Sequence, residues 1–557
     1  MLHRAFAIKG LAQWSPAPTA SLVAFWLIAV GNYSFWVTLA GSLGTSSRGI
    51  AATIAMALVL WASLSFAVHL LTYTRLHRWL WALLLLTSAS AAHFVDYWGV
   101  LIDKAMLSNV LQTDISEALD LLTLEFALDI LLRGVLPAAL VLLWPMRRAS
   151  LREALVASAA FVLIAVGLLV AAGTTYYSEY APTFRNHREL RYQLVPANYL
   201  RAGWSLATPA SRPPSQPIHS IAADASRVGS QVPLLFVLVI GETARADNFS
   251  LGGYPRPTNE ALSNWALRYF KGVKSCGTDT ATSLPCMFTD IKGDGYSVEK
   301  ASERENVLDI LRRTGVSVNW YENNSGCKRV CDRVPTTRLQ DLHACAGREC
   351  TDADFAAVVE SLEQPQADTL LVIHQQGSHG PAYFKRYTGE PMYEPACETN
   401  RLQDCPRETV VNAYDSSIHF TSAALARLLE SLQRRSASDM RGGVALLYVS
   451  DHGESLGERG IYLHGLPGWM APHEQFHVPM ILWMDHAAQE RLAPAPACLD
   501  RSLSSDMSHD YIFHTLLGVF GVRTSVYQPQ LDIFSDSKLP VDCRPKSSDF
   551  LRKHLVP

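Results

Sequence analysis

The stretch LLFVLVI at residues 234–240, followed at once by GETARADN at residues 241–248, decides the fold of the second half of this chain. An unbroken apolar run of this length is typical of a strand that is buried on both faces. Two further runs have the same form: TLLVIH at 369–374 precedes QQGSHGP, and VALLYVS at 444–450 precedes DHGES. Apolar strands separated by helical segments predict an α/β domain with a largely parallel sheet, covered on both faces.

Polar side chains follow these strands at the ends where an α/β sheet usually carries its site. Taken singly, each has an ordinary alternative as a helix cap or a solvated loop residue. Together they offer carboxylate oxygen and imidazole nitrogen, which in a tetrahedral array favour zinc. We therefore expect a metal site if the sheet forms as predicted. The residues concerned are Glu242, His379, Asp451, His452 and, shortly after the third strand, His464.

The first part of the chain has a different character. With 557 residues the chain is too long for one compact core, and its first 175 residues hold most of the long apolar runs. Its charge is nearly balanced, with 48 Lys and Arg residues against 51 Asp and Glu residues. A nucleic-acid-binding protein usually carries a strong basic excess, so no nucleic-acid partner is expected.

Apolar segments in this first part predict five membrane-spanning helices. Several contain about 20 residues, which at about 1.5 Å per residue cover a hydrocarbon core of roughly 30 Å. The fourth segment is short, and Asp129 and Arg133 near its start are expected at the membrane interface, as a helix-surface ion pair or, alternatively, as residues that mark the lipid entry. The five segments are residues 20–40, 49–71, 78–101, 131–145 and 153–172.

Basic residues in the short loops between these segments predict the orientation, because they collect on the cytoplasmic side of a membrane. One set of loops carries far more of them than the other. The amino terminus is therefore expected in the cytoplasm, and five crossings place everything after residue 175 outside. The richer set holds Arg4, Lys9, Arg75, Arg78, Arg147, Arg148 and Arg152, and the opposite loops hold Arg48 and Lys104.

The ten cysteines point to the same compartment independently, because all of them lie after residue 275. An even number, confined to one domain and mostly closely spaced, is typical of disulfides in an oxidising environment. Reduced buried thiols or a structural zinc site are the alternatives, but no CxxC pair with a matching partner pair appears. The cysteines are Cys276, Cys286, Cys327, Cys331, Cys345, Cys350, Cys397, Cys405, Cys498 and Cys543.

Between the membrane segments and the first buried strand, residues 173–204 are polar but rich in aromatic side chains, which suits a membrane–water interface. A Pro/Ser/Ala-rich stretch at 209–232 has the composition of a linker. The sequence thus predicts a transmembrane domain at 1–175, an interfacial segment and linker at 176–232, and an exported soluble domain at 233–557.

Five motifs carry a resemblance to a known family. They are GETARADNFSLGGYPRPTN, SCGTDTATSLPCMF, WYENNSGCKRVCDR, HQQGSHGPAYFKRY and SDHGESLGERGIYLHGLP. In this order they resemble the lipid A phosphoethanolamine transferases, which include the mobile colistin-resistance enzymes. The membrane half matches as well, including SNVLQTDISEALDLL at 108–122, so the resemblance covers nearly the whole chain. It implies that the soluble domain is catalytic and has the alkaline phosphatase/sulfatase type of fold.

The resemblance also implies roles for individual residues. Thr280, the second threonine of CGTDTA, matches the nucleophile. The ligands of one tightly held zinc ion would be Glu242, Thr280, Asp451 and His452, while a second zinc stays an open alternative. His379 and His464 match a pair that holds the phosphoryl group or that second zinc. The substrate-binding residues would be Asn109, Thr113, Glu117, Ser325, Lys328, His379 and His464.

By the same resemblance the chain is a multi-pass enzyme of the bacterial inner membrane with its catalytic domain in the periplasm. It would move phosphoethanolamine from phosphatidylethanolamine to a lipid A phosphate by a ping-pong route, a modification that confers polymyxin resistance. Three alternatives stay open: a different acceptor such as core heptose, a related metal-dependent phosphodiester hydrolase, and a non-catalytic membrane sensor. The CxPxR-like motif of sulfatases is absent, and retention of every proposed ligand argues against a sensor.

Proximity in the sequence, together with the resemblance, suggests how the cysteines pair. Sequence alone does not determine the connectivity. The suggested pairs are Cys276–Cys286, Cys327–Cys331, Cys345–Cys350 and Cys397–Cys405, leaving Cys498–Cys543.

Simple chemistry supports Thr280 as a nucleophile. A threonine hydroxyl reacts poorly at neutral pH, and zinc lowers its pKa enough to give an alkoxide. Cys276 and Cys286 bracket Thr280, so a bridge between them would fix the loop that aims the hydroxyl. The alternative is that Thr280 is a helix N-cap, which is compatible with catalysis because a helix start also offers N–H groups to an anion. Asp279 beside it would disfavour the alkoxide.

Three further histidines have structural interpretations. His374 ends an apolar strand and is expected to be a hydrogen-bonded core residue. His473 and His477 fall in a loop without a second motif, so surface or structural roles are expected for them.

Overall fold

The computed structural model describes residues 14–535, apart from gaps at 113–118, 120, 188, 208–217, 228–231, 343–344, 346–349, 401, 440–441, 494–498 and 501. The chain divides into two compact units, Met1–Arg212 and Pro213–Pro557. The first unit is helical and the second contains a mixed, largely parallel sheet with helices. The predicted fold class, a helical membrane domain with an α/β domain, is confirmed. The predicted domain boundaries stay predictions.

The first unit consists of helices. Among the described residues four helical segments are long and apolar enough to cross a membrane: Ser47–Tyr73, His77–Trp98, Leu124–Leu143 and Leu151–Thr175. Up to five spans result if the bent pair Pro16–Val30 and Tyr33–Leu43 counts as one. The helices are α1 (Pro16–Val30), α2 (Tyr33–Leu43), α3 (Ser47–Leu70), α4 (His77–Trp98), α5 (Lys104–Gln112), α6 (Leu124–Leu143), α7 (Leu151–Thr175), α8 (Tyr177–Asn186), α9 (Leu190–Gln193) and α10 (Ala197–Ala207).

The first predicted span, residues 20–40, is broken into α1 and α2, which meet at 66°. The break lies at Gly31 and Asn32. The buried Asn32 amide donates to the carbonyls of Leu27 (2.8 Å) and Val195 (2.9 Å), and its oxygen accepts from the Val195 N–H (2.8 Å). A polar side chain that is tied to a distant segment thus interrupts an otherwise apolar run.

The fourth span is longer than predicted and begins at Leu124. The Thr123 hydroxyl caps this start by accepting a hydrogen bond from the Phe126 N–H at 3.1 Å. Residues Ile130–Val135 form a π-helical turn inside α6. Asp129 and Arg133 therefore lie within the helix and not before it.

Asp129 and Arg133 form the predicted i,i+4 ion pair, but the pair is largely buried in a network of charged side chains between α4 and α6 and does not lie on a helix surface. Arg133 Nη1 lies 2.7 Å from Asp96 Oδ2, and Arg133 Nε lies 3.0 Å from Asp129 Oδ1. His93 Nδ1 lies 3.1 Å from Asp129 Oδ2. All four side chains are at least three-quarters buried. Charges at such positions persist in membrane proteins only when they are paired, as they are here.

The second unit is built on a seven-stranded sheet. Its strands are β1 (Leu235–Gly241), β2 (Arg268–Phe270), β3 (Ser317–Glu322), β4 (Thr336–Arg338), β5 (Thr369–His374), β6 (Val444–Ser450) and β7 (Met480–Met484). They lie in the order β2-β7-β6-β1-β5-β3-β4. Neighbouring strands among β6, β1, β5, β3 and β4 are parallel, while β7 runs antiparallel to β6 and β2.

Helices cover both faces of this sheet, which explains why β1 contains no polar residue. Successive strand residues point to opposite faces, and the two faces of β1 belong to two separate hydrophobic cores. Every residue of β1 is buried. The helices of this unit are α11 (Thr280–Met287), α12 (Val298–Ser302), α13 (Val307–Arg313), α14 (Phe355–Ser361), α15 (Arg407–Asp439), α16 (His486–Leu492) and α17 (Asp510–Val519).

The predicted linker at 209–232 is described only in part. Within it, Ser226–Arg227 pairs in antiparallel fashion with Val522–Arg523 of the second unit, and His219 forms a bridge with Arg304. The described part of this stretch is therefore packed onto the second unit.

Four disulfides join the pairs that were suggested from the sequence and the resemblance: Cys276–Cys286, Cys327–Cys331, Cys345–Cys350 and Cys397–Cys405. The suggested Cys498–Cys543 pair lies outside the described residues.

Asp532 provides a prediction about stability and pH. The Tyr527 hydroxyl (2.6 Å) and the Phe534 N–H (2.9 Å) donate to its carboxylate, yet burial dominates and raises the pKa of Asp532 to about 7. Between an unfolded pKa of about 4 and about 7, the folded chain keeps a proton that the unfolded chain has lost. The free energy of unfolding should therefore fall as pH rises through this window, by at most about 1.4 kcal/mol per pH unit.

The replacement Asp532→Asn should remove this contribution, because the amide keeps the shape and does not titrate. Thermal unfolding of the full chain in detergent, measured from pH 4.5 to 7.5, should show the variant gaining stability relative to wild type as pH rises. Parallel curves for the two proteins would contradict the assignment.

Candidate active site

Three metal-ligand side chains meet beyond the carboxyl ends of two neighbouring strands. Glu242 follows β1, and Asp451 and His452 follow β6. All three are fully buried, and they offer ligand atoms that lie within 4.8 Å of one another. His452 Nε2 is 3.3 Å from Glu242 Oε1 and 3.5 Å from Asp451 Oδ2. The parallel pairing of β1 with β6 thus brings together residues that are about 200 positions apart in sequence.

Close packing holds the loop after β1 in place. The Tyr414 hydroxyl, from α15, donates to the Thr243 carbonyl (2.7 Å) and accepts from the Arg245 N–H (2.9 Å). Gly377 lies so near that a Cβ there would be 2.4 Å from the Glu242 carbonyl oxygen, so only glycine fits. Glu242 is therefore presented by a rigid turn.

Thr280 joins this group from the first position of α11. Its Oγ1 lies 3.2 and 3.1 Å from the two Glu242 carboxylate oxygens and 3.4 Å from His452 Nε2. The side chain is half-buried, so a substrate can reach it. The Cys276–Cys286 disulfide spans the loop and helix that carry it.

The helix N-cap is Asp279 and not Thr280, so the alternative interpretation of Thr280 as the cap was wrong. Asp279 Oδ1 accepts from the Thr282 N–H (2.9 Å), and its Oδ2 accepts from the Thr282 hydroxyl (3.0 Å). Both carboxylate oxygens are thus occupied by Thr282. The Thr280 hydroxyl is left for the Glu242 and His452 side chains.

The donor set fits a divalent cation. His452 Nδ1 lies 2.8 Å from the Gly453 carbonyl, which only accepts, so Nδ1 carries the hydrogen and Nε2 faces the two carboxylates. Asp451 Oδ2 is buried and has no hydrogen-bond partner among the described residues. Two carboxylates and an imidazole nitrogen that converge in this way require a proton or a cation between them.

The electrostatics of the group agree with this fit. Burial opposes the charge of Glu242, but the hydrogen bond with His452 and the charge of its ring hold the pKa of Glu242 well below its usual range. Burial and the Glu242 charge raise the pKa of Asp451. Burial lowers the pKa of His452, but Asp451 and Glu242 together raise it to about 10. The two carboxylates therefore attract positive charge strongly.

His379 and His464 lie beside this group, as the sequence suggested. The ring centroids of His452 and His464 are 4.3 Å apart, and those of His379 and His464 are 5.4 Å apart. Burial, with a contribution from His452, lowers the pKa of His464 to about 3, so its ring is neutral. Glu454, which sequence reasoning missed, is fully buried 3.3 Å from His464 Nδ1, and burial raises its pKa to about 8. The sequence feature that could have identified Glu454 is its position in the DHGES motif, three residues after Asp451.

Lys328 lies in the short loop that the Cys327–Cys331 disulfide closes, and Ser325 comes two residues before that bridge. Lys328 Nζ donates to Ser325 Oγ at 2.9 Å. Their neighbour Asn324 connects this loop to the carboxylate group, because its Nδ2 donates to Glu242 Oε2 at 2.7 Å. Asn324 was missed as well, although it stands inside the quoted WYENNSGCKRVCDR motif.

Three further predicted site residues belong to the first part of the chain. Asn109 is on α5 in the membrane unit, whereas Thr113 and Glu117 fall outside the described residues. His374 is fully buried with Nδ1 2.9 Å from Glu322 Oε1, in keeping with a hydrogen-bonded core residue.

Comparison with known proteins agrees with this arrangement. Residues 235–522 match the sulfatase family, and residues 60–210 match the family described as phosphoethanolamine transferase EptA/EptB. Phosphoethanolamine transferase EptA of Salmonella typhimurium is 36% identical over 525 residues, covering 92% of this chain and 95% of that protein. Phosphatidylethanolamine transferase Mcr-1 of Escherichia coli is 35% identical over 528 residues, covering 91% and 95%.

A solved structure is similar over the same extent. The integral membrane lipooligosaccharide phosphoethanolamine transferase A (EptA) from Neisseria meningitidis superposes with a TM-score of 0.86 at 32% identity, covering 94% of this chain and 99% of that one. The resemblance drawn from the five motifs is thereby confirmed, together with the sulfatase type of the soluble domain. This multi-pass membrane protein belongs to the phosphoethanolamine transferase family of the EptA and Mcr proteins.

Proposed function

We propose that this enzyme transfers phosphoethanolamine from phosphatidylethanolamine to a lipid A phosphate, with Thr280 as the covalent nucleophile. The observation that carries the proposal is the position of Thr280 Oγ1, within 3.4 Å of both the Glu242 carboxylate and His452 Nε2. A reactive hydroxyl at a helix start, against a group built to hold a cation, is the arrangement that phosphoryl transfer to a side chain needs.

We assign the cation as zinc, held by Glu242, Asp451, His452 and the Thr280 oxygen. Carboxylate and imidazole ligands with one position given to a reacting oxygen are typical of catalytic zinc sites. When bound, zinc supplies a lower pKa for the coordinated hydroxyl and neutralises charge on the phosphoryl oxygens. The chain's own contribution is to fix these side chains before substrate arrives, through the β1 turn, the Asp279 cap and the Cys276–Cys286 bridge.

The proposed reaction has two balanced halves. In the first, Thr280 Oγ1 forms a bond to the phosphorus of phosphatidylethanolamine, the bond from phosphorus to the glycerol oxygen breaks, and diacylglycerol leaves with the proton that Thr280 gave up. In the second, an oxygen of a lipid A phosphate forms a bond to the same phosphorus, the bond from phosphorus to Thr280 Oγ1 breaks, and Thr280 takes up the proton that the acceptor phosphate gives up. We assign to His379 and His464 the donation of hydrogen bonds to phosphoryl oxygens in each half, because both rings lie beside the His452 ring or each other.

Head-group and lipid recognition complete the proposal. Lys328 and Ser325 carry a cation and a hydroxyl beside Asn324, which itself touches Glu242, so we place the phosphate end of the donor there. Asn109, with Thr113 and Glu117, is proposed to hold the donor lipid in the membrane unit.

The compartment is proposed from the charges of the short loops and from the disulfides. We place the amino terminus in the cytoplasm of a bacterial inner membrane and the catalytic domain, residues 233–557, in the periplasm. Four disulfides in that domain fit an oxidising compartment.

Mass spectrometry of lipid A tests the function and the acceptor together. Cells that express the wild-type chain should show lipid A carrying an added phosphoethanolamine, and polymyxin susceptibility should fall. Cells that express Thr280→Ala at the same level are the matched control and should show unmodified lipid A. Unmodified lipid A with modified core sugar would establish the core-heptose alternative. Loss of phosphatidylethanolamine with no modified acceptor would establish a hydrolase.

A further inference from the structure

A second group of metal-ligand side chains lies on the soluble unit, apart from the proposed catalytic residues. Asp247, from the loop after β1, faces His473 and His477, and their ligand atoms lie within 4.8 Å of one another. Asp247 Oδ2 is 3.2 Å from His477 Nδ1, and the two histidine rings are 4.7 Å apart between centroids with a tilt of 32°. Asp247 and His477 are half-buried and His473 is exposed.

The orientation of the His477 ring points to a ligand. Its Nε2 lies 2.8 Å from the Lys271 carbonyl oxygen, which only accepts, so Nε2 carries the hydrogen. In the neutral ring, Nδ1 therefore directs its lone pair toward the Asp247 carboxylate. In the protonated ring, Nδ1 would instead donate its own hydrogen to that carboxylate. Metal-binding histidines are commonly held in this way, with one ring N–H donated to a backbone carbonyl and the other nitrogen on the metal.

We propose that Asp247, His473 and His477 bind one zinc ion, with water completing the coordination. Two imidazole nitrogens and a carboxylate oxygen form a donor set that zinc favours. Surface exposure of His473 leaves the site open to metal from solution, whereas Glu242, Asp451 and His452 are fully buried.

The role of this zinc follows from the backbone around it. Residues 473–477, here called the bracket segment, accept hydrogen bonds from the loops that carry Glu242, Thr280 and His452. The approach is close, since a Cβ at Gly453 would lie 2.0 Å from the Glu474 carbonyl oxygen. The bonds run from Ala246 N to His477 O (2.9 Å), from Ser275 N to Phe476 O (2.8 Å) and from Gly453 N to Gln475 O (3.0 Å).

A zinc ion held between Asp247 and the two histidines would link the β1 loop to the bracket segment a second time. Its effect is structural: it ties together, from outside, the loops that present the catalytic side chains. Whether zinc binds here does not depend on the proposed function. Only the inference that this zinc supports catalysis, by tying the loops together, rests on the proposed function.

Zinc counting on the tag-free, full-length protein in detergent tests the proposal. After loading with Zn²⁺ and dialysis, elemental analysis should find two zinc ions per chain in wild type and one in Asp451→Ala. The double variant His473→Ala/His477→Ala should keep one zinc ion. The triple variant Asp451→Ala/His473→Ala/His477→Ala should keep none. The zinc affinity of the site should fall at least about tenfold when either histidine is replaced.

Two controls guard against misfolding and nonspecific binding. His486→Ala removes an exposed histidine, 3.8 Å from Glu490, and should leave the zinc count unchanged. His477→Gln keeps the size of the side chain and an N–H for the Lys271 carbonyl. In the Asp451→Ala background, Zn²⁺ should raise the melting temperature, and His477→Gln should remove this rise.

The outcomes separate this proposal from the proposed function. Asp451→Ala protein that binds no zinc would overturn the second site and leave His477 as a protonated partner of Asp247. Zinc that persists after both histidines are replaced in that background would overturn it as well. Zinc that depends on His473 and His477 but is unaffected by Asp451→Ala would support this site and count against the catalytic one.

Discussion

Replacing Thr280 by alanine should abolish the release of diacylglycerol from phosphatidylethanolamine by the purified protein, and with it all transfer to an acceptor. Alanine removes the hydroxyl oxygen that lies within 3.4 Å of the Glu242 carboxylate and His452 Nε2. Removal of a catalytic nucleophile costs roughly 10⁴-fold or more in rate. Wild-type protein given the donor alone should release diacylglycerol and gain one phosphoethanolamine on the peptide that contains Thr280, as mass spectrometry would show.

Thr280→Ser is the matched comparison, because it keeps the hydroxyl and the start of α11. It should retain part of both the diacylglycerol release and the peptide modification. Asp279 remains in both variants to cap the helix through Thr282, so loss of folding is not expected. Normal acceptor modification by Thr280→Ala would mean that transfer passes directly from donor to acceptor, which contradicts the covalent route.

Asp451→Ala should lose both the catalytic metal and transfer activity. Asp451 brings one of two carboxylates to the buried group, and its Oδ2 lacks a hydrogen-bond partner among the described residues, as a ligand atom would. Its Oδ1, in contrast, accepts from the N–H groups of Thr243 (3.1 Å) and His452 (2.7 Å). Each lost hydrogen bond costs about 1 kcal/mol, so the alanine variant should also be less stable.

Asp451→Asn separates these two effects, since its amide oxygen preserves the acceptor while the charge is lost. It should stay close to wild type in stability and still bind metal far more weakly, with activity reduced in parallel. Asp500→Ala, which removes a half-exposed partner of Arg268, is the control and should change neither. Full metal content and full activity in Asp451→Ala would show that the metal is held elsewhere.

The soluble half was predictable because its signals are local. Seven consecutive apolar residues before Glu242 have one simple explanation, a strand with helices on both faces, and the alternation of β1 between two cores shows why no polar residue interrupts it. The parallel arrangement then brought Glu242 near Asp451 and His452 at the same edge. The four disulfides join cysteines that are close in sequence, and this proximity suggested their pairing together with the family resemblance.

The features that sequence reasoning missed depend on contacts between distant parts of the chain. Asn32 lies at the break in the first span and forms hydrogen bonds with the Val195 backbone. No sequence pattern near residue 32 predicts this partner. Asn324 and Glu454 stand inside motifs quoted above, but their contacts with Glu242 and His464 are visible only in the folded structure. Hydrophobic periodicity indicates which face of an element is buried. It does not indicate which polar group of another element will contact that face.

The charged network between α4 and α6 has a consequence for how this sequence can diverge. Arg133 pairs with both Asp96 and Asp129, so its loss alone would leave two buried carboxylates without their shared cation. Among the described residues, only the Ser34 N–H on Asp96 and the His93 ring on Asp129 would remain as partners. Exchange of all three for apolar residues would leave a neutral helix pair, and replacement of a buried charged group by well-packed apolar residues is often tolerated. We therefore expect these positions to be inherited as a block, either kept together or lost together, with single changes rare among descendants of this chain.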